Sequence, residues 1–410
     1  MRPRITIPAV IIGTLVFGLA ACSTEQPAPA PAPAEETSEE GHGAIAHAAE
    51  LAEPRLGLTS IDPTGAVSHL DLLDESVADL GTIGAPEAMT TDGRYLFAQT
   101  DAGIEIVDSG VWTWDHVDHF HYYRADPRLL GTVEGDGAAT VATSNLSTSG
   151  GTGVYFPDSG DAVLLDTEAL SKGEISESFR LENTPGDGMI VPVGSFALVT
   201  DGAGPSQTVV GYTADGERTG LVEPCPDASG TITTRVGAVV GCSDGALLAS
   251  ATGDELTVER IPYPAEATAP PATSFDNREG RPTVTGLAGD QGIWLLDTRA
   301  KSWALLPAPT RLTHVTAVDD SDEHILALAT DGRVLVLDGN TGSVIAETGP
   351  LVAASLDAGQ APTLVADQQR AYLSAPTEQK LYEIDYADDA RISRTFDTDT
   401  EPAFTAETGR

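Results

Sequence analysis

Apolar and polar residues alternate with a period of two along most of the chain from Arg55 onward, and turns interrupt the alternation at short intervals. This pattern is typical of β-strands that bury one face. The clearest example contains four short runs, at residues 313–318, 324–328, 333–337 and 343–346. Four strands in about 40 residues are the size of one β-propeller blade.

Weaker copies of this unit recur along the chain, and Asp-Gly dipeptides, which favour tight turns, punctuate them. The copies begin near Ala85, Ala138, Gly188, Gly230, Ser274 and Leu351, and the copy at Ser274 is the least regular. Residues 55–80 supply three strands, and residues 401–408 supply a fourth that would join the two ends of the chain and leave no open sheet edge.

The sequence therefore predicts an all-β chain that forms a single β-propeller of four-stranded blades, closed by its N- and C-terminal strands. Residues 55–410 allow about 44 residues for each of eight blades, within the usual range of about 40–45. Eight blades are favoured; seven larger blades, or a pair of β-sandwiches, are the alternatives.

The first residues have the pattern of a secretory signal. Arg2 and Arg4 precede an apolar run that ends in Leu-Ala-Ala before Cys22, which resembles the lipobox of bacterial lipoproteins. We expect residues 1–21 to be a signal peptide and Cys22 to carry lipid; an uncleaved membrane anchor is the alternative. Residues 22–54 are rich in Pro, Ala and Glu and are predicted to be an extended linker before the propeller domain of residues 55–410. The predicted location is extracytoplasmic, with lipid anchoring the protein to the cell membrane.

The charge and the cysteine content of the chain limit the classes of function that it can have. The chain has 62 Asp and Glu against 22 Lys and Arg, a formal net charge of −40, which argues against a nucleic-acid partner because such proteins need a basic surface. Outside the cytoplasm, Cys225 and Cys242 are expected to form a disulfide. A Cys/His metal site or a redox pair is the alternative, although no Cys-x-x-Cys spacing accompanies the two residues.

A histidine-rich segment at residues 111–124 departs from the repeat. It contains His116, His119 and His121, interleaved with Asp115 and Asp118, whereas the whole chain has eight histidines. In an extended strand, His119 and His121 would project on the same face. Imidazole suits Zn²⁺, Cu²⁺ or Ni²⁺, and the aspartates could orient the rings or bind the ion directly. The segment therefore predicts a metal site; an aromatic surface loop with incidental histidines is the alternative.

Further ligands are expected at the mouth of the central channel, where the innermost strands of the blades begin. Among the residues predicted to lie at these starts, Asp187 and His314 are good metal ligands, so His119 and His121 could meet either of them around one ion. Asp187 could equally belong to an ordinary Asp-Gly turn, and His314 could be a buried, hydrogen-bonded histidine. His69 and His324 lie in strand patterns without neighbouring ligands and are predicted to be structural.

Several motifs together resemble the AztD family of secreted zinc metallochaperones. The similarity lies in the histidine-rich segment, in residues 127–131 and 188–194, and in the sequences around Cys225 and Cys242. The resemblance implies a β-propeller that binds Zn²⁺ and passes it to the solute-binding protein of an ABC zinc importer. It also implies a mobile N-terminal arm bearing histidines, for which His42 and His47 are the candidates. Where histidine is common in the family, this chain has Asp187 and Ser229, which places a second zinc site in doubt.

Two other classes of function stay open at this level. One is a metal-dependent propeller enzyme of the lactonase type, and the other is a non-catalytic propeller that binds a protein or a cell-wall component. The chain has no P-loop and no Cys-x-x-Cys-His haem attachment. A metal-transfer protein without enzymatic activity is therefore the leading hypothesis.

Overall fold

The computed structural model describes residues 43–115 and 119–410, and these residues form mainly β-strands. In the first half of the chain the strands are β1 (Ala49–Leu51), β2 (Gly57–Ile61), β3 (Ala66–Asp71), β4 (Val77–Thr82), β5 (Ala88–Thr91), β6 (Tyr95–Thr100), β7 (Gly103–Asp108), β8 (Val111–Asp115), β9 (Phe120–Arg124), β10 (Arg128–Val133), β11 (Thr140–Ala142), β12 (Gly151–Phe156), β13 (Asp161–Asp166), β14 (Glu177–Glu182), β15 (Ile190–Val193) and β16 (Phe196–Asp201).

In the second half the strands are β17 (Thr208–Thr213), β18 (Arg218–Pro224), β19 (Thr231–Thr233), β20 (Ala238–Cys242), β21 (Gly245–Thr252), β22 (Glu255–Pro262), β23 (Thr283–Leu287), β24 (Ile293–Asp297), β25 (Ser302–Leu306), β26 (Leu312–Ala317), β27 (His324–Ala329), β28 (Val334–Asp338), β29 (Val344–Glu347), β30 (Leu364–Ala366), β31 (Ala371–Ala375), β32 (Lys380–Asp385), β33 (Arg391–Asp397) and β34 (Phe404–Thr408). The helices are short: α1 (Thr167–Ser171), α2 (Ala353–Asp357) and a 3-10 turn (Gly204–Ser206).

The described strands form eight antiparallel propeller blades, as the repeat predicts. From the inner to the outer strand, the blades are β34-β2-β3-β4, β5-β6-β7-β10, β11 to β14, β15 to β18, β19 to β22, β23 to β25, β26 to β29 and β30 to β33. Seven of these blades have four strands. The prediction of an all-β propeller is thus confirmed, with eight blades rather than seven.

The ring closes through the two ends of the propeller domain. Strand β34 pairs with β2 in a register that places Thr408 opposite Gly57 and Phe404 opposite Ile61. Side-chain hydroxyls add to the main-chain pairing, since Ser60 Oγ lies 2.9 Å from Thr405 Oγ1 in a buried position. The C-terminal strand therefore completes the first blade, as predicted from residues 401–408, and removes an open sheet edge.

The sixth blade departs from the predicted four strands. Its inner edge is occupied by a single antiparallel bridge, in which the main chains of Asp276 and Thr285 exchange both hydrogen bonds at 2.9 Å. The segment leading to this bridge contains Pro264, Pro270 and Pro271, which lack the N–H groups needed for a longer ladder. The irregularity of the copy near Ser274 has this local cause.

Burial follows the position of each strand within its blade. Strand β27 is buried along its whole length because blades pack on both of its faces, whereas the outer strand β22 alternates between half-buried and exposed residues over most of its length. Between the second and third blades, Phe97 and Phe156 lie in one apolar cluster, and each is at most 1% exposed. Burying a phenylalanine side chain contributes about 1.5–3 kcal/mol, so these contacts between blades hold the ring together.

The common direction of the inner strands defines two faces of the ring. We call the face where the inner strands begin the N face, and the opposite face, where they end, the C face. Strand β7 runs parallel to β5 because β6 lies antiparallel to both, so β7 ends at the C face. The chain between β7 and β10, which contains the histidine-rich segment, therefore extends from the C face.

Part of the segment that the sequence analysis gave to the linker is a strand. Strand β1 pairs antiparallel with β9, which in turn pairs with β8, and the three strands form a small sheet outside the eight blades. We call it the accessory sheet. The predicted signal peptide and Cys22 lie outside the described residues. No helix in the described ranges is long and apolar enough to cross a bilayer.

Cys225 and Cys242 form a disulfide, as expected. Cys225 follows β18 in the fourth blade and Cys242 ends β20 in the fifth, so the bond links neighbouring blades. Both cysteines are at most 2% exposed.

We expect the double substitution C225A/C242A to lower the free energy of unfolding by about 3 kcal/mol, because the bond closes a loop with a sequence separation of 17. Urea unfolding followed by tryptophan fluorescence measures the change. As a control, a reductant should destabilise the native protein to the same extent and leave the double variant unaffected. Equal stability of the two proteins in the oxidised state would contradict the expectation.

Candidate functional site

The accessory sheet is anchored to the ring by a buried group of aromatic and charged side chains. Trp112, in β8, is 1% exposed, and the guanidinium of Arg94 lies 3.9 Å from its ring centroid. Arg94 binds Asp108 through two hydrogen bonds of 2.9 Å. Burial opposes ionisation of Asp108, but the bonds from Arg94 and Arg128 hold the pKa of this carboxyl below its usual value. Asp108 is therefore an anion with two cationic partners at the base of the hairpin.

The C-terminal residues form a second anchor. The Thr113 backbone N–H donates to the carbonyl oxygen of Arg410 at 2.8 Å, and Thr113 Oγ1 donates to the carbonyl oxygen of Gly409 at 2.8 Å. These residues directly follow β34, the strand that closes the ring. The position of β8 is thus tied to the closure of the propeller.

One face of the accessory sheet presents aromatic rings and imidazoles side by side. Cross-strand pairing places Trp112 opposite Tyr123 and Trp114 opposite His121. The rings of Trp112 and Tyr123 stack with centroids 5.3 Å apart, and the ring of His121 lies 6.0 Å from that of Trp114. Gly43 packs so closely on Trp114 that an added Cβ would lie 2.5 Å from the indole ring. The aromatic residues thereby restrict the position of the His121 ring.

Two of the predicted metal ligands meet at the end of this face. His119 Nε2 and His121 Nε2 lie 2.9 Å apart, and the two rings are 4.8 Å apart at an interplanar angle of 62°. Two nitrogens bound at about 2.0–2.1 Å to a tetrahedral ion are separated by roughly 3.3 Å, so a small ring rotation would suit one shared zinc. The prediction from the period-2 alternation that His119 and His121 share a face agrees with this geometry. His116 and Asp118 lie outside the described residues.

A carboxylate that the sequence did not predict as part of the site contacts one of the two histidines. Glu50 Oε1 lies 2.7 Å from His121 Nδ1. Glu50 is in β1, and its side chain is 57% exposed, whereas the side chain of His121 is 20% exposed. No local sequence signal marks Glu50, because only the pairing of β1 with β9 brings it to the hairpin.

The structure places Asp187 on the opposite face of the ring from the hairpin. Asp187 precedes β15, the inner strand of the fourth blade, and therefore lies at the N face. It is exposed, and its carbonyl oxygen accepts a hydrogen bond from Gln207 Nε2 at 3.1 Å. The expected meeting of Asp187 with His119 and His121 at one mouth does not occur, since the loop between β7 and β10 extends from the other end of the channel.

His314 lies in the central channel, where its Nε2 is 2.7 Å from Asp276 Oδ2. Both residues line a channel cavity of about 500 Å³. The ring is half-buried, and Asp276 is its nearest charged neighbour among the ion pairs of the described residues. His314 thus occupies the channel as predicted but faces a carboxylate of the sixth blade.

Two acids, the half-buried Glu279 and the buried Glu407, line the end of this cavity at the C face. Glu407 is 2% exposed and forms an ion pair with Arg410, while its Oε1 has no hydrogen-bond partner among the described residues. Desolvation raises the pKa of Glu407 to about 8 and that of Glu279 to about 7, and the positive charge of Arg410 opposes both shifts only in part. The protonation of these two carboxyl groups therefore changes with pH near neutrality.

A second group with metal-ligand chemistry lies in the turn between β26 and β27. The ligand atoms of Asp320, Asp322 and His324 lie within 4.8 Å of one another, and His324 Nδ1 is 2.6 Å from Asp320 Oδ2. This turn is also at the C face, because β26 is an inner strand. The prediction that His324 has no neighbouring ligands was wrong. The Asp-x-Asp-x-His spacing could have revealed the group, since the two aspartates directly precede the strand that begins at His324.

The buried acids generate a prediction about pH. A carboxyl whose pKa is higher in the folded than in the unfolded protein contributes stability that is complete below its unfolded pKa, about 4.3, and is lost as the pH rises through its folded pKa. The loss therefore accumulates from about pH 4.3 upward and is complete near pH 7 for Glu279 and near pH 8 for Glu407. We expect the free energy of unfolding to fall between pH 5.5 and pH 8.5.

The substitution E407Q should flatten this dependence, because the amide is neutral at every pH and still offers an oxygen to Arg410. The variant should match the native protein at about pH 4 and exceed it increasingly up to pH 8.5, as measured by urea unfolding. E53Q, at an exposed position, serves as the matched control and should follow the native profile. Parallel profiles for E407Q and the native protein would contradict the assignment.

Comparison with known structures supports the architecture. A crystal structure of AztD from Citrobacter koseri and a structure of the apo protein align with TM-scores of 0.72 and 0.71 at 19% sequence identity. The alignments cover 87% and 86% of this chain and 98% and 97% of AztD. The dihydro-heme d1 dehydrogenase NirN in complex with DHE aligns with a TM-score of 0.54 at 14% identity over 88% of this chain and 76% of NirN.

No protein-family model and no curated protein sequence matches the chain. At the identities found, the structural comparison establishes the fold, which is a β-propeller of the AztD type.

Proposed function

We propose that the protein is an extracytoplasmic, lipid-anchored zinc metallochaperone that binds Zn²⁺ at His119 and His121 and passes it to the solute-binding protein of an ABC zinc importer. The observation that carries the proposal is the convergence of the two Nε2 atoms to 2.9 Å on an exposed hairpin. The solute-binding protein is proposed as the partner because the surrounding sequence resembles the AztD family.

The chemistry of the donors favours zinc over harder cations. Calcium and magnesium are bound mainly by oxygen atoms, whereas paired imidazoles suit zinc and its neighbours in the transition series. Because two nitrogens leave the coordination incomplete, the ion would need further ligands from the segment of residues 116–118 or from water. An incomplete site is consistent with transfer, since a partner can add a ligand before the first protein releases the ion.

The position of the site also favours transfer over catalysis. His119 and the neighbouring Phe120 are exposed, and no described residue of the hairpin lines the channel cavity, in which an enzyme would enclose a substrate. An extracytoplasmic location is supported by the disulfide and by the AztD-type fold. We therefore propose a carrier without enzymatic activity, whose acidic surface attracts cations without selecting among them.

We expect H119A/H121A to weaken zinc binding by more than about 100-fold, because even the loss of groups that only orient a ligand costs about 10–100-fold. Competition with a chromophoric chelator, using untagged protein, measures the affinity. D320N/H324N is the matched control, since it removes an imidazole and a carboxylate from the other candidate group. If zinc binding survives in H119A/H121A but is lost in D320N/H324N, the zinc site lies in the turn between β26 and β27 and the assignment to the hairpin is wrong.

Transfer needs a separate measurement. Zinc-loaded protein is mixed with the apo solute-binding protein, and the rate of zinc arrival is compared with the rate of release into a chelator alone. We expect arrival at the partner to be faster and to increase with partner concentration, because direct transfer passes through a complex. Equal rates that are independent of concentration would indicate simple dissociation and contradict the proposed role.

A further inference from the structure

Glu50 reaches the histidine pair from a separate segment of the chain. Strand β1 contains three residues, and its pairing with β9 places Ala49 opposite Arg124, Glu50 opposite Tyr123 and Leu51 opposite Tyr122. Of these strand residues, Ala49 and Glu50 are exposed, and Leu51 is half-buried. The strand is therefore held chiefly by main-chain pairing along one edge of the accessory sheet.

The orientation of Glu50 separates it from the point where the imidazoles meet. Tyr123 and His121 are two residues apart in β9 and share a face, so Glu50, opposite Tyr123, lies on that face as well. Its carboxylate contacts His121 Nδ1, whereas the nitrogen that faces His119 is Nε2, at the other side of the ring. Glu50 consequently contacts the side of the His121 ring that lies away from His119.

This arrangement has a known effect on metal binding in general. A histidine that binds a metal through one nitrogen usually donates its other N–H to a carboxylate, which fixes the tautomer and the ring orientation and makes the bound nitrogen more basic. Loss of such a partner typically costs about 10–100-fold in affinity. The 2.7 Å contact between Glu50 Oε1 and His121 Nδ1 matches this relation.

We propose that Glu50 is a positioning residue for the zinc site, so that the N-terminal segment before the propeller is a functional part of the site. The inference rests on the proposed function and deepens it. When β1 is paired with β9, Glu50 directs Nε2 of His121 toward His119. When β1 separates from β9, the carboxylate leaves with it and the affinity falls. A partner that competes for the edge of β9 would thereby promote release of the cargo.

The test uses the full chain with substitutions at Glu50 and zinc competition as the first measurement. E50A should weaken zinc binding by about 10–100-fold. E50Q should recover part of the loss, because its amide oxygen accepts the N–H of Nδ1 at the same side-chain length. E53A, which removes an exposed carboxylate three residues away, should bind zinc as the native protein does. Because β1 pairs through its main chain, the thermal unfolding of all three variants should be unchanged.

A second measurement distinguishes a positioning residue from a direct ligand. The visible absorption spectrum of the Co²⁺-loaded protein reports the number and type of ligands. We expect E50A to keep the native spectrum while zinc is released into a chelator at least about tenfold faster. A changed coordination number in E50A would make Glu50 a direct ligand and overturn the positioning role.

The outcomes also separate this inference from the proposed function. If E50A and E53A bind zinc equally well while H119A/H121A does not, the role of Glu50 is wrong and the zinc site stands. If H119A/H121A binds zinc normally, the site itself is wrong and the inference fails with it. Equal losses in E50A and E50Q would also count against the proposal, because a hydrogen bond to Nδ1 would then not account for the effect.

Discussion

The pairing of β34 with β2 is the constraint on which the rest of the structure depends. It brings the last strand of the chain into the first blade and closes the ring. The same strand leads directly to Gly409 and Arg410, whose carbonyl oxygens hold Thr113 of β8. The side chain of Arg410 meanwhile pairs with Glu407 at the end of the channel. Ring closure, the charge of the channel and the position of the histidine hairpin thus share one segment.

The buried charges of the ring differ in how completely they are paired. Arg94 and Asp108 form a fully buried pair joined by two hydrogen bonds, and Asp108 also accepts from Arg128, which offsets much of the cost of burying the carboxylate. Within residues 43–115 and 119–410, Arg410 is the ion-pair partner of Glu407, and desolvation favours the protonated form of the carboxyl. The hairpin packs on Arg94 through Trp112, whereas the incompletely paired acids make the channel sensitive to pH.

The sequence predicted the features that depend on local pattern. The alternation at residues 313–346 and the three strands after Arg55 indicated the blades, and the terminal strand indicated the closure. Features that depend on pairing between distant segments could not be predicted from the local pattern. Pro/Ala/Glu composition describes the segment before Arg55 as linker, yet three of its residues find an edge at β9. The alternation of the strand predicted that His119 and His121 lie together. Only the course of the chain through the second blade shows that they lie at the C face, whereas Asp187 lies at the N face.

Under the proposed function, the accessory sheet separates the stability of the ring from the transfer of the ion. A propeller ring is rigid because each blade is buried between two others, so ligands placed inside it would release an ion only if the ring deformed. Placing two imidazoles on a hairpin outside the ring removes that cost, while Trp112 and Thr113 keep the hairpin in position. The contact of Glu50, in β1, with His121 divides the proposed site between two segments of the chain. Under the proposed function, the ion can then be surrendered by separating three residues of main-chain pairing, with the ring and its closure left intact.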